Sequence, residues 1–253
     1  MDEPLIIDLN CDMGESFGRY ELGQDAAVMP YITSANVACG FHAGDPNVMR
    51  RTVQLAKQHE VALGAHPSYP DLQGFGRRKM DFSEHEITDF IIYQLGALGA
   101  FAAAEGVRLV HVKPHGALYN LASKDITAAK AIAQAVHDFD SSLILIGLAG
   151  SILVKEGIAM GLAVANEGFP DRAYLPEGQL MPRTQKGAVI HRPEIIAANA
   201  LRLVKEGLTV NGEKVQIDTL CLHGDNITAL ENARAVRQTL EQAGITLSPL
   251  KNL

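Results

Sequence analysis

Two short stretches set acids, amides and bases at a spacing of two. AspLeuAsnCysAsp puts Asp8, Asn10 and Asp12 at alternate positions, and HisValLysProHis does the same for His111, Lys113 and His115. Alternate side chains of a strand share one face, so each stretch gathers three polar groups on one side. Three such groups on an inward face are costly unless they bind or pair with something. Of the nine histidines, His42, His66, His111, His115 and His223 stand on or just after stretches that read as strands. Asp45, Glu167 and Asp225 occupy comparable positions.

Two chemistries could use such a rim. In the first, two histidines and an aspartate hold a divalent ion that polarises water or a carbonyl. Asp12, His42, His66 and His115 are the candidates, although no HExxH or HxxxH spacing fixes them. The second is acid–base cleavage, with a carboxylate base, a histidine acid, and Lys113 or Arg172 facing developing negative charge. The residue types do not choose between them. Any one histidine reads equally well as a hydrogen-bonded structural residue, and Lys113 as a counter-ion to Asp8 or Asp12. Cys11, Cys39 and Cys221 form no CxxC pair and read as reduced, buried thiols, Cys221 sharing a face with His223. Neither a P-loop nor a Gly-x-Gly-x-x-Gly turn after a strand occurs, so any nucleotide use must draw on other elements or another subunit.

Holding this rim takes alternating strands and helices. Candidate strands cover 5–10, 34–39, 61–66, 109–115, 143–148, 162–166 and 217–223. Helical spacing covers 46–59, 83–105, 125–138, 150–157, 192–207 and 228–243. Asp45, Ser83 and Asp225 or Thr228 stand where N-caps belong, and Gly106, Gly207 and Gly244 where helices stop. Asn211-Gly212 predicts a two-residue hairpin turn. The connection 166–190 holds three prolines and a short strand signal at 188–191, and loops of that length are usually functional. This alternation fits either an α/β barrel or an open doubly wound sheet, both of which place ligands at the C-terminal ends of their strands.

Composition narrows the partners. The 253 residues are 47% hydrophobic and carry 22 basic against 29 acidic side chains, a formal charge of −7. With no repeat, low-complexity tract or linker, one domain over 1–253 is the expectation. No basic stripe suits nucleic acid, and no stretch reads as a membrane span. The N-terminal MDEPLIIDLN has two acids before its apolar run and no basic region, so no secretory leader and a cytoplasmic location are expected.

Six blocks in order resemble the lactam-utilisation LamB/YcsF family across nearly the full chain. They are DLNCDMGESFG at 8–18, SANVACGFHAGDP at 34–46, GAHPSYPDLQGFGRR at 64–78, VKPHGALYN at 112–120, EGFPDRAYLPEG at 167–178 and CLHGDN at 221–226. The resemblance implies an irregular seven-stranded β/α, TIM-like barrel of the glycoside hydrolase/deacetylase type. It also implies hydrolysis of 5-oxoproline to L-glutamate with ATP as co-substrate, alongside two partner subunits, B and C. On that reading the partners activate the lactam and this chain adds water. The base is Asp12 or Asp45, the acid His115 or His66, and Lys113 works with Arg172 on the phosphate or substrate carboxylate. Asp8, Asn10, Glu15, His42, Asn120, Glu167, Arg172, His223 and Asp225 are the expected substrate contacts. The competing reading is a stand-alone metal-dependent amidohydrolase or deacetylase that needs neither ATP nor partners.

Overall fold

The computed structural model describes residues 5–223 and 228–250. The first half runs β1 (Ile6–Met13), α1 (Asp25–Val28), a 3-10 turn at Met29–Tyr31, β2 (Ser34–Ala38), α2 (Pro46–Gln58), β3 (Ala62–His66), α3 (Glu84–Ala104), β4 (Leu109–Val112) and α4 (Gly116–Ala122). The second runs α5 (Ile126–Asp140), β5 (Ile144–Leu148), α6 (Ile152–Ala159), β6 (Val164–Gly168), α7 (Pro193–Glu206), β7 (Leu208–Val210), β8 (Glu213–Val215), β9 (Thr219–Leu222), α8 (Ala229–Gln242) and β10 (Thr246–Leu247).

Strands β1 to β6 pair in sequence order, all parallel, and β9 pairs with both β6 and β1. That double pairing closes a seven-stranded barrel and decides between the two α/β architectures. β10 lies parallel to β1 at Ile6 and Ile7, and β7 and β8 form a separate antiparallel hairpin. The hairpin turns on Asn211 (φ 50°) and Gly212 (φ 86°), the left-handed pair that a two-residue turn requires.

On β1, Ile7, Leu9, Cys11 and Met13 join the apolar core with Val53 of α2, Ile91 and Leu95 of α3 and Val136 of α5. Their alternates Asp8, Asn10 and Asp12 are buried on the opposite, inward face. The barrel therefore has an apolar jacket and a polar interior. Ser34 and Asn36 of β2, His66 of β3, His111 of β4, Glu167 of β6 and Thr219 of β9 are buried with them. Gly64 is required here, because a Cβ at that position would overlap the His111 imidazole from the next strand.

Helix starts follow local chemistry. Asp45 accepts from the amides of Asn47 and Val48, and Ser83 with Glu86 forms a reciprocal capping box. Helix α3 is long and apolar enough, by length and composition, to cross a membrane; in the fold it packs against α5 and α2.

Three local expectations differ from the structure. β4 stops at Val112 because Pro114 has no amide to donate, and His115 becomes the N-cap residue of α4, a helix the periodicity did not show. Ladder-like bonds nonetheless continue from Lys113 N to Ala65 O (2.9 Å) and from His115 N to Pro67 O (2.8 Å). Residues 188–191 form no strand, only a single bridge between Val189 and Arg172.

Candidate active site

The floor of the site is a hydrogen-bonded layer across the barrel interior. Lys113 Nζ lies 2.8 Å from Glu167 Oε1, 2.9 Å from Asp12 Oδ1 and 2.9 Å from Cys221 Sγ. Asn36 donates to Asn10 Oδ1 (2.7 Å) and Asp12 Oδ1 (2.9 Å), and its own carbonyl accepts from His111 Nε2 at 2.8 Å. The Tyr119 hydroxyl donates to Glu167 Oε2 at 2.6 Å. Two carboxylates thus share one ammonium, and amides fill the remaining positions, which is how buried charge is tolerated.

These contacts fix the charge states. Burial works against the Lys113 charge, but Asp12 foremost, then Cys221 and Glu167, outweighs it and holds the ammonium well above the ordinary lysine value. Burial likewise pushes Asp12 up, yet His66 and Lys113 prevail and keep its carboxyl well below the usual range. In the resting site Lys113 is therefore a cation and Asp12 an anion. Burial, with Lys113 and His66 behind it, pushes His111 down to about 3, so that ring is neutral.

Beside Asp12 three imidazoles and a carboxylate converge. Ligand atoms of Glu15, His42, His66 and His115 all lie within 4.8 Å of one another, and all four residues are buried. His42 and His115 stack with ring centroids 3.8 Å apart at 4°, and His66 meets His115 edge-on. His66 Nδ1 lies 2.7 Å from the Lys113 carbonyl, and His115 Nε2 lies 2.9 Å from the Phe75 carbonyl. A carbonyl only accepts, so each of those nitrogens carries the proton. Burial leads the neighbouring histidines in pushing His42 and His115 well below the ordinary imidazole value.

Above this floor opens a cavity of about 540 Å³. Asp12, His66, Lys113, His115 and Tyr119 face it from below, and Phe169, Arg172, Leu180, Met181 and Arg183 wall it from the long segment after β6. Arg172 anchors that wall, donating to the carbonyls of Ala188 (3.1 Å) and Met181 (2.7 Å). Arg77, Lys113, Lys124, Arg172 and Arg183 give the lining five cations against the single carboxylate of Asp12. Such a lining favours an anionic ligand.

The structure brings together most of the residues singled out from sequence. Asp12, Glu15, His42, His66, Lys113, His115 and Glu167 form the floor and its histidine cluster. Asn10 bridges Glu167 and Thr219, and Asn120 and His223 line the cavity. His223 Nδ1 sits 2.6 Å from Asp171 while Nε2 accepts from Arg183 at 2.8 Å. Asp8 lies apart from the cavity, its carboxylate taken up by the hydroxyls of Thr33, Ser34 and Thr219. Asp45 is also apart, both oxygens accepting from backbone amides of Gly18, Asn47 and Val48. Asp225 lies outside the described residues. Among the metal candidates, Glu15 stands where Asp12 was expected, with Asp12 Oδ2 3.4 Å from His66 Nε2. Asn36, Tyr119, Arg77, Lys124 and Arg183 escaped the sequence reading; Asn36 alternates with Ser34 on β2 and could have been found by the same two-residue spacing that exposed β1.

The model of the LamB/YcsF family matches residues 7–253. A Pyrococcus abyssi protein named as a 5-oxoprolinase subunit is 55% identical over 250 residues, 97% of this chain and 98% of that protein. The crystal structure of a lactam utilization protein from Thermus thermophilus superposes with a TM-score of 0.90 at 49% identity, covering 96% of this chain and 99% of that one. The catalytic domain of a peptidoglycan N-acetylglucosamine deacetylase from Eubacterium rectale, 12% identical, covers 100% of this chain and 91% of its own with a TM-score of 0.54, and shows the barrel fold alone. By the span of the family match and the identity to its relatives, the chain belongs to the LamB/YcsF family.

Proposed function

We propose that this chain is the ring-opening subunit of an ATP-dependent 5-oxoprolinase, working in the cytoplasm with two partner subunits, B and C, to convert 5-oxoproline to L-glutamate. The observation that carries the reading is the cavity: five cations surround one ionised carboxylate above a buried floor. 5-Oxoproline is an anion, and its activated form is more so. Near-full-length similarity to proteins named as 5-oxoprolinase subunits supports the same assignment.

A lactam carbon is a weak electrophile because amide resonance feeds electrons into it. Phosphorylation of the amide oxygen by ATP, on the partner subunits, removes that resonance and leaves a carbon that water can attack. Asp12 takes a proton from the water as the new C–O bond forms. The ring C–N bond then breaks, and Asp12 returns the proton to the departing nitrogen. Ring opening yields an acyl phosphate, which a second water cleaves. 5-Oxoproline, ATP and two waters thus give glutamate, ADP and phosphate. Lys113 holds Asp12 ionised and in place, and Arg77, Lys124 and Arg183 face the substrate carboxylate and phosphate.

Asp45 is poorly placed for the base, since its oxygens already cap α2 and hold Gly18. His66 Nδ1 and His115 Nε2 already spend their protons on the carbonyls of Lys113 and Phe75. Asp12 acting in both directions needs neither. The test is glutamate and ADP release from 5-oxoproline plus ATP, with this chain alone, the partners alone, and all three together. Glutamate only from the full mixture supports the reading, and its absence from a folded, associated mixture overturns it.

A further inference from the structure

Hydrogen-bond accounting around the histidine cluster leaves a surplus of lone pairs. His66 spends its Nδ1 proton on the Lys113 carbonyl, and His115 spends its Nε2 proton on the Phe75 carbonyl. In a neutral imidazole the other nitrogen is then a bare acceptor. His66 Nε2 and His115 Nδ1 face each other at 2.9 Å, and with both opposite nitrogens already donating, one positive centre, a shared proton or a metal ion, must lie between them. Two lone pairs at that distance repel unless something positive lies against both. The surroundings add more negative density: Asp12 Oδ2 lies 3.4 Å from His66 Nε2, and Glu15 Oε1 lies 3.8 Å from His115 Nδ1 and 3.4 Å from His42 Nε2. His42 is 1% exposed, and neither of its ring nitrogens makes a hydrogen bond. Buried acceptors aimed at one point call for a cation there.

We propose that Glu15, His42, His66 and His115 bind a divalent transition-metal ion, zinc by preference, with Asp12 at its edge. Three imidazoles and one carboxylate are the borderline-soft set that suits zinc and its neighbours over magnesium or calcium. The surrounding shell is that of a ligating histidine, which almost always gives its second N–H to a carboxylate or backbone carbonyl and is thereby held in one tautomer. Both carbonyls are present. That of Phe75 is delivered by a residue with a left-handed backbone (φ 54°), an unfavourable conformation for a bulky residue. The adjoining Gly76 (φ 65°) admits no Cβ, which would strike His42, Ser68 and His115. The 71–78 turn is locked by Asp71, which accepts from Gly74 N and Arg78. A strained residue held by a stapled turn, with its carbonyl aimed at His115, is a device for orienting that ring.

The inference rests on the count of donors and acceptors and is independent of the lactam reading. The test uses the full chain, treated with a chelator, dialysed and titrated with zinc chloride by calorimetry without substrate or partner subunits. Cobalt chloride is added in parallel to read the visible absorption of a tetrahedral site. The expected result is one saturable equivalent per chain, a metal-dependent rise in melting temperature and a cobalt spectrum. Glu15→Gln, which keeps the shape of the side chain, weakens binding by about 100-fold or more, since even outer-shell changes cost 10- to 100-fold. His137→Ala, at an exposed helical position, leaves binding unchanged. The proposal is overturned if wild-type protein takes up no stoichiometric ion, or if the double variant His42→Ala/His115→Ala binds as tightly as wild type. Because binding is read without turnover, metal uptake by a chain that fails to release glutamate would sink only the function, and turnover by a metal-free complex only the site.

Discussion

The Lys113 ammonium and the Glu167 carboxylate meet 2.8 Å apart inside the barrel, one carried by the segment after β4 and the other by β6. Asp12 joins them from β1, so a single cation is shared by two acids brought together from three parts of the chain. Both acids pair with that cation, and Asp12 also owes part of its lowered pKa to it.

Lys113→Met therefore does more than remove a functional group. It leaves two buried carboxylates without their partner, and breaking a buried pair by deleting one member costs about 3–5 kcal/mol. The variant should lose turnover and also show a much lower urea midpoint. A variant as stable as wild type would mean that Asp12 and Glu167 do not rely on Lys113.

Asp12 and Asp45, equivalent as candidate bases in the sequence, should separate cleanly in an assay of the assembled complex. Asp12→Asn should lower the rate by roughly 100- to 10,000-fold, the usual value of a general base. Asp45→Ala should cost about 0.5–2 kcal/mol of stability as a lost helix cap while kcat stays near wild type. The reverse pattern would move the base to the mouth of α2.

Asp8 gives the pH response a definite sign. Burial raises its carboxyl from 3.8 to about 6, against the three hydroxyls that bond it. Between those values the folded state holds more protons than the unfolded chain, so this group's contribution to stability falls as pH rises through the window. The cost is fully in force above about 6, relieved below about 4, and on the order of 3 kcal/mol for this shift. Unfolding free energies of wild type and Asp8→Asn, compared from pH 4 to 7, should show wild type losing ground as pH increases. Parallel curves would place the Asp8 titration elsewhere.

Gly64→Ala adds a single methyl group where the His111 ring already lies. Overpacking in a rigid interior costs about 1–3 kcal/mol, and here the ring must also leave its bond to Asn36. A lowered denaturation midpoint is expected, with the imidazole NMR signals of His111 displaced. No change in either would show that the barrel interior yields easily.

Much of this architecture is legible in the residues because it depends on local rules. Alternation on β1 exposed Asp8, Asn10 and Asp12, and cap chemistry at Asp45 and Ser83 marked where helices begin. The seven barrel strands follow from the same patterns, and the Asn211-Gly212 hairpin from its turn pair. What was not legible is relational. Asp45 and Asp12 look alike in sequence; only the fold shows one oxygen pair spent on backbone amides and the other facing a cavity. Glu15 follows the end of β1, outside any alternation, and it reaches His42 and His115 through the turn at Gly14 (φ 68°). Helix α4 was hidden because HisValLysProHis reads as one strand until Pro114 interrupts it.

Closure of the barrel by β9 against β1 sets the order of events during synthesis. Asp8 to Cys11 find their second neighbours only at Thr219 to Leu222, 211 residues further along, so β1 waits for that whole stretch before its far edge is covered. Contacts this distant in sequence slow folding, because the ends of a long loop must meet before the pairing rewards them. On the ribosome the strand bearing Asp12 emerges well ahead of β9, so its ladder is completed long after it appears.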